Sequence, residues 1–138
     1  MNPKTKNILY WTTTMLVAFF MGSGGLSQLW QYHANPHGTV PILGYPLYFF
    51  AIVGFWKVLG AIAILAPRRP LLKEWAYAGI FFDLTGAIAS IAAVGSYGAY
   101  AFHILAPLII AGLTIASWML RPESRKLGAC TSTIKVPE

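Results

Sequence analysis

The chain has 138 residues, of which 57% are hydrophobic and 10% charged, against about 25% charged in soluble globular domains, so a water-soluble domain is excluded as the main body of the protein. Ten Lys and Arg against four Asp and Glu give a net charge of +6. Nine of the ten basic residues lie in three short polar segments (Lys4 and Lys6; Arg68, Arg69 and Lys73; Arg121, Arg125, Lys126 and Lys135), so the charge reports topology rather than nucleic-acid binding.

Four stretches reach the roughly 20 apolar residues needed to cross a hydrocarbon core of about 30 Å: residues 8–29, 45–66, 75–96 and 99–120. The expected fold is an all-α integral membrane four-helix bundle forming one domain over residues 1–122, followed by a polar tail at 123–138. The first stretch follows two lysines as a secretory signal would, but it exceeds the 7–15 apolar residues of a signal core and lacks an A-x-A-like site. It is expected to stay as a helix. Inside it, Gly22-Ser23-Gly24-Gly25 lacks the strand and helix context of a phosphate loop and fits close helix packing in lipid.

The loop at 30–44 contains no Lys or Arg, nor do Tyr97 and Gly98, whereas the loop between the second and third stretches contains Arg68, Arg69 and Lys73. The positive-inside rule then puts both termini and the basic loop in the cytoplasm, in the cell or inner membrane. Tyr10, Trp11, Trp75 and Trp118 mark one interface and Trp30, Tyr32, Tyr45, Tyr48, Tyr97 and Tyr100 the other.

The second stretch contains Lys57 and the third Asp83, each costing about 2.5–3.5 kcal/mol at a helix centre on insertion scales. Lys57 lies nine residues from Ala66 and Asp83 eight from Trp75, so a rise of about 1.5 Å per residue puts both at one depth of about 12–14 Å. On consecutive antiparallel helices they are expected to pair, either as a structural device fixing helix register or as the floor of a polar cavity for a quinone, lipid or other small amphipathic ligand. Gly25, Gly54, Gly60, Gly79 and Gly86 are the expected helix-packing positions, with Gly79, Asp83, Gly86 and Ser90 on one face.

In the fourth stretch Pro107 should kink the helix and free the carbonyl of His103 four residues earlier. Gln28, Ser90 and His103 are candidate polar lining at the end away from the basic loop. His33, His37 and His103 are enough histidines for a metal site, but Asn35-Pro36 disfavours a helix through the first two and no carboxylate lies at that end, so no metal is expected. Cys130 is the single cysteine, which excludes an intramolecular disulfide or a Cys-x-x-Cys pair. No haem-ligand pair, flavin motif or catalytic constellation is present to make the chain a complete enzyme.

Several longer words carry a more specific signal: Gly24-Gly25-Leu26-Ser27-Gln28-Leu29, Leu43-Gly44-Tyr45-Pro46, Phe55-Trp56-Lys57-Val58-Leu59-Gly60-Ala61, Lys73-Glu74-Trp75-Ala76-Tyr77-Ala78-Gly79 and Phe82-Asp83-Leu84-Thr85-Gly86-Ala87. In order and spacing the sequence resembles the DoxX-like family of small four-helix membrane proteins. Ile91 stands where the family pattern has a histidine. The resemblance implies a four-helix bundle with Lys57, Glu74 and Asp83 at recurring positions, in a family whose relatives are linked to quinone-dependent oxidoreductases or to membrane assemblies handling oxidative stress. The expected function is an accessory subunit of such a system; a partner-recruiting membrane scaffold and a small-solute transporter are the alternatives.

Overall fold

The computed structural model describes residues 2–41, 43–95 and 101–122. The polar tail, with Cys130, Arg125, Lys126 and Lys135, lies outside the described residues, as does the turn at 96–100 with Tyr97 and Tyr100. The described residues form four helices, α1 (Pro3–Ala34), α2 (Leu47–Leu65), α3 (Pro70–Val94) and α4 (Ala101–Met119), and no strand.

Local chemistry sets the helix ends. The Asn2 side chain accepts from the Lys4 backbone N–H at 3.2 Å, with Pro3 in the first turn, where a missing N–H costs nothing. α1 therefore starts earlier than residue 8, and it runs to Ala34, where Asn35-Pro36 stops it. A short antiparallel bridge between Thr39 and Pro46 folds the loop back, with Val40 N–H donating to the Tyr45 carbonyl at 2.7 Å. Pro70 starts α3 five residues before the expected boundary, so Lys73 and Glu74 are helical rather than loop residues. Gly95, in the left-handed region at φ 73°, ends that helix.

α2, α3 and α4 are each long and apolar enough to cross a membrane. α1 is longer still, at 32 residues, but Thr12, Thr13, Thr14, Ser23, Ser27 and Gln28 dilute it below that apolarity. Most of those hydroxyls are satisfied within the helix: Thr12, Thr13, Thr14 and Ser23 donate to carbonyls four residues back at 2.7–2.9 Å. Its outward side is nonetheless apolar, with Ile8, Met15, Phe19 and Leu26 exposed. Phe82 and Phe102 project from α3 and α4 in the same way, an apolar exterior far beyond the isolated patches of soluble proteins.

Each helix packs against its sequence neighbours and α4 closes onto α1. Val17, Ala18 and Met21 of α1, Ala61 and Ile64 of α2, Tyr77, Ile80 and Leu84 of α3 and Ala111 of α4 form the core. The α1–α2 seam is the closest and the α2–α3 seam the loosest. That difference positions the candidate site.

Candidate functional site

Lys57 Nζ lies 3.5 Å from Asp83 Oδ2, joining α2 to α3 midway along both helices. Toward the basic end the same two helices are joined again: the ammonium of Lys73, completely buried, donates to the Ile64 carbonyl in the last turn of α2, one of the acceptors a helix C-terminus leaves without an intrahelical donor. Along this seam lies a cleft of about 600 Å³. Met21 reaches it from α1, the partly exposed Lys57 and Asp83 line it, and Trp56 and Trp75 line it on the outer surface of the bundle.

Two missing side chains make the space. A Cβ at Gly79 would meet nothing within 4 Å, and one at Gly60 would meet Ile80 at 3.5 Å, an ordinary contact; both glycines line the cleft. The expectation that Gly79 and Gly86 pack helices is therefore corrected, because Gly86 too meets nothing within 4 Å. They lie on the exposed side of α3, and Gly60 and Gly79 leave a gap where larger residues would close the seam.

The seam on the other side of α2 is the reverse case. A Cβ at Gly25 would fall 2.5 Å from the Gly54 carbonyl oxygen, and one at Gly54 would fall 2.7 Å from that of Gly25. The two backbones touch at this crossing, as small residues allow in lipid. Gln28 lies over Gly54, with its Oε1 buried and lacking a hydrogen bond. Lys57 follows Gly54 by one turn, so the crossing fixes α2 close to the level of its charge.

At the basic end a polar cluster joins α1, α3 and α4. Thr14 Oγ1 and Ser117 Oγ lie 2.6 Å apart, and the Tyr77 hydroxyl is 2.8 Å from the same Ser117 oxygen. Glu74 accepts from Arg121 and, at 2.9 Å, from the Trp118 indole N–H. Arg121 is 2% exposed, its guanidinium 5.4 Å from the centre of the Tyr77 ring, and its Nη1 is buried with no hydrogen-bond partner. Lys73 and Arg121 are thus internal struts as well as positive charges. The sequence reading took them for loop charges; the available signal was the placement of Glu74, Tyr77 and Ser117 at levels that meet when α3 and α4 run antiparallel.

A model of the DoxX-like family matches residues 12–117, well over half of the chain and the whole of the cleft. The chain belongs to the DoxX-like family. No curated protein and no solved structure gives a significant match. In this DoxX-like bundle the remaining candidate residues stand apart from the cleft: Gln28 is held at the glycine crossing, Ser90 is seven residues beyond Asp83 on α3, and His103 is exposed near the start of α4 beside Phe102. None of the three lines the cleft, because the loose part of the α2–α3 seam lies between Lys57 and the basic end rather than at the opposite end. Among the described residues of this family member, no three His, Cys, Asp or Glu side chains converge as a metal site would require.

Proposed function

We propose that this DoxX-like protein is a four-span bundle of the cell membrane with both termini and its basic end in the cytoplasm, and that its α2–α3 cleft binds a small amphipathic ligand of the quinone type. On this reading it serves as an accessory subunit of a quinone-linked or redox-stress membrane system. The observation that carries the ligand reading is an apolar cleft, open on the outer surface of the bundle, whose lining includes one ion pair. A molecule dissolved in the bilayer could enter beside Trp56 and Trp75 without crossing water and find its ionisable partners in Lys57 and Asp83 alone. The cleft volume falls within the 300–1,000 Å³ of ordinary small-molecule sites. The orientation rests on Lys4, Arg68 and Arg69, exposed at the basic end, and on the absence of Lys and Arg from the 35–46 loop.

Native mass spectrometry of the gently extracted protein, with lipid and quinone extraction of the same sample, tests the reading. Gly79→Leu is the variant of choice, since its side chain enters empty space in the cleft rather than the core. A stoichiometric amphiphile on wild type, lost from a Gly79→Leu variant that melts no lower, is the expected result. A wild-type chain carrying only exchangeable bulk lipid would overturn this reading, and one accompanied by a second protein instead of a ligand would put the scaffold in its place.

A further inference from the structure

We propose that the cleft selects amphiphiles whose head group is uncharged and presents a hydrogen-bond donor beside an acceptor, so that within the quinone type it takes the reduced quinol, whose hydroxyls donate and accept, ahead of the accept-only oxidised quinone, and that it discriminates against head groups of either net charge. This rests on the cleft being a ligand site and specifies what it recognises. Of the residues lining it, Lys57 and Asp83 alone carry ionisable side chains. Their charges sum to zero whether the shared proton resides on nitrogen or on oxygen, so the pair offers both a donor and an acceptor but no net charge.

The pair is also incompletely satisfied. A charge-assisted N–H···O contact closes to about 2.7–2.9 Å, whereas Lys57 and Asp83 stand 3.5 Å apart, and Asp83 Oδ2 is buried without a hydrogen bond. Both side chains keep some exposure, 16% and 22%, so a head group can reach them. Lys57 has three N–H donors, leaving capacity for a ligand oxygen, and a ligand hydroxyl or amide N–H can donate to Asp83 through Oδ1, since Oδ2 is buried.

A phosphate or carboxylate head would gain from Lys57 but sit nearly as close to Asp83, so attraction and repulsion largely cancel while the head group still loses its hydration. An ammonium head meets the mirror-image problem. Among the described residues no other cation lines the cleft: Lys73 is buried and bound to the Ile64 carbonyl, Arg121 is bound to Glu74, and Lys4, Lys6, Arg68 and Arg69 are not part of its lining. An uncharged hydroxyl, phenol or amide avoids both costs and bridges the gap.

The test uses the full chain in nanodiscs of a zwitterionic lipid and four probes sharing one twelve-carbon chain: a monoacylglycerol, a fatty acid, an alkylammonium and a methyl ester. Each competes against a chain-brominated monoacylglycerol that quenches tryptophan fluorescence. Wild type should bind the monoacylglycerol at least tenfold tighter than the two charged probes and more tightly than the ester, which can accept but not donate. Asp83→Asn leaves Lys57 unopposed and should move the fatty acid to first place. A fatty acid that binds wild type as well as the monoacylglycerol, or an unchanged order in Asp83→Asn, overturns the selection rule while leaving the cleft as a site. Should Asp83→Asn fail to fold, the wild-type order alone decides. Absence of binding by every probe, or undiminished binding to Gly79→Leu, overturns the cleft as a ligand site and the selection rule with it.

Discussion

Two glycine-to-alanine substitutions, identical as chemistry, should change stability in opposite directions. At Gly25 the new methyl would lie 2.5 Å from the Gly54 carbonyl oxygen and 3.0 Å from both Lys57 Cβ and Val58 Cγ2, where ordinary contact begins at 3.4 Å. Relief requires α1 and α2 to part by about 1 Å, since the nearest atom belongs to a helix backbone that cannot rotate away as a side chain could. Overpacking costs about 1–3 kcal/mol, and a backbone clash belongs at the upper end. Alanine recovers up to about 1 kcal/mol over glycine within a helix, so Gly25→Ala should lose about 1–2 kcal/mol. At Gly79 the methyl meets nothing within 4 Å, which leaves only the propensity gain of up to about 1 kcal/mol. Unfolding both variants in mixed micelles of dodecyl maltoside and increasing dodecyl sulfate measures the difference. Equal midpoints for Gly25→Ala and Gly79→Ala would refute the assignment of one glycine to a backbone crossing and the other to open space.

Lys57→Met should destabilise the bundle by about 3 kcal/mol, the lower end for breaking a buried pair because both partners keep some exposure, and the Lys57→Met, Asp83→Leu double variant should recover most of it in the same titration. Glu74→Gln should cost about 2–3 kcal/mol by leaving the buried Arg121 without its counter-charge and shift the emission of Trp118, which donates to the same carboxylate; unchanged emission would count against this contact. Tyr77→Phe should cost only about 1 kcal/mol, because Ser117 keeps Thr14 as partner, and a loss comparable to that of Glu74→Gln would show that the hydroxyl cluster and the Arg121 cluster form one unit. Arg68→Ala, at an exposed loop position away from these contacts, should leave stability within about 0.5 kcal/mol, so loss of a co-purifying partner from that variant would be a surface effect.

Much of the fold was legible because lipid imposes few solutions. Apolar runs of the right length gave the helices, and counting residues inward from two helix ends put Lys57 and Asp83 at one depth, a level at which the structure holds them 3.5 Å apart. Helix rotation was not legible. Whether Gly79 packs against a neighbour or faces open space depends on an angle about the α3 axis that its weakly amphipathic sequence does not fix, and the glycine face was accordingly assigned to packing. Lys73 and Arg121 failed for a related reason, since a basic residue at a helix end looks the same whether it reaches outward to water or inward to a carbonyl or carboxylate. Gln28, Ser90 and His103 were grouped by depth alone, and depth does not place residues in one cavity when they lie on different sides of the bundle.

The closeness of α1 and α2 at Gly25 and Gly54 also bears on how the protein reaches the membrane. Within this chain α1 precedes the other three helices and is the least apolar of the four, so on the proposed four-span reading its own insertion signal is the weakest. Its hydroxyls, bonded back to its own carbonyls, lower the cost of transfer into lipid without removing it. α2 is short, strongly apolar and separated from α1 by a loop folded back on itself, and can supply the missing affinity once its backbone rests against that of α1. On that reading the close crossing at the two glycines would serve insertion as well as the finished bundle, letting a marginal segment enter the bilayer as half of a hairpin.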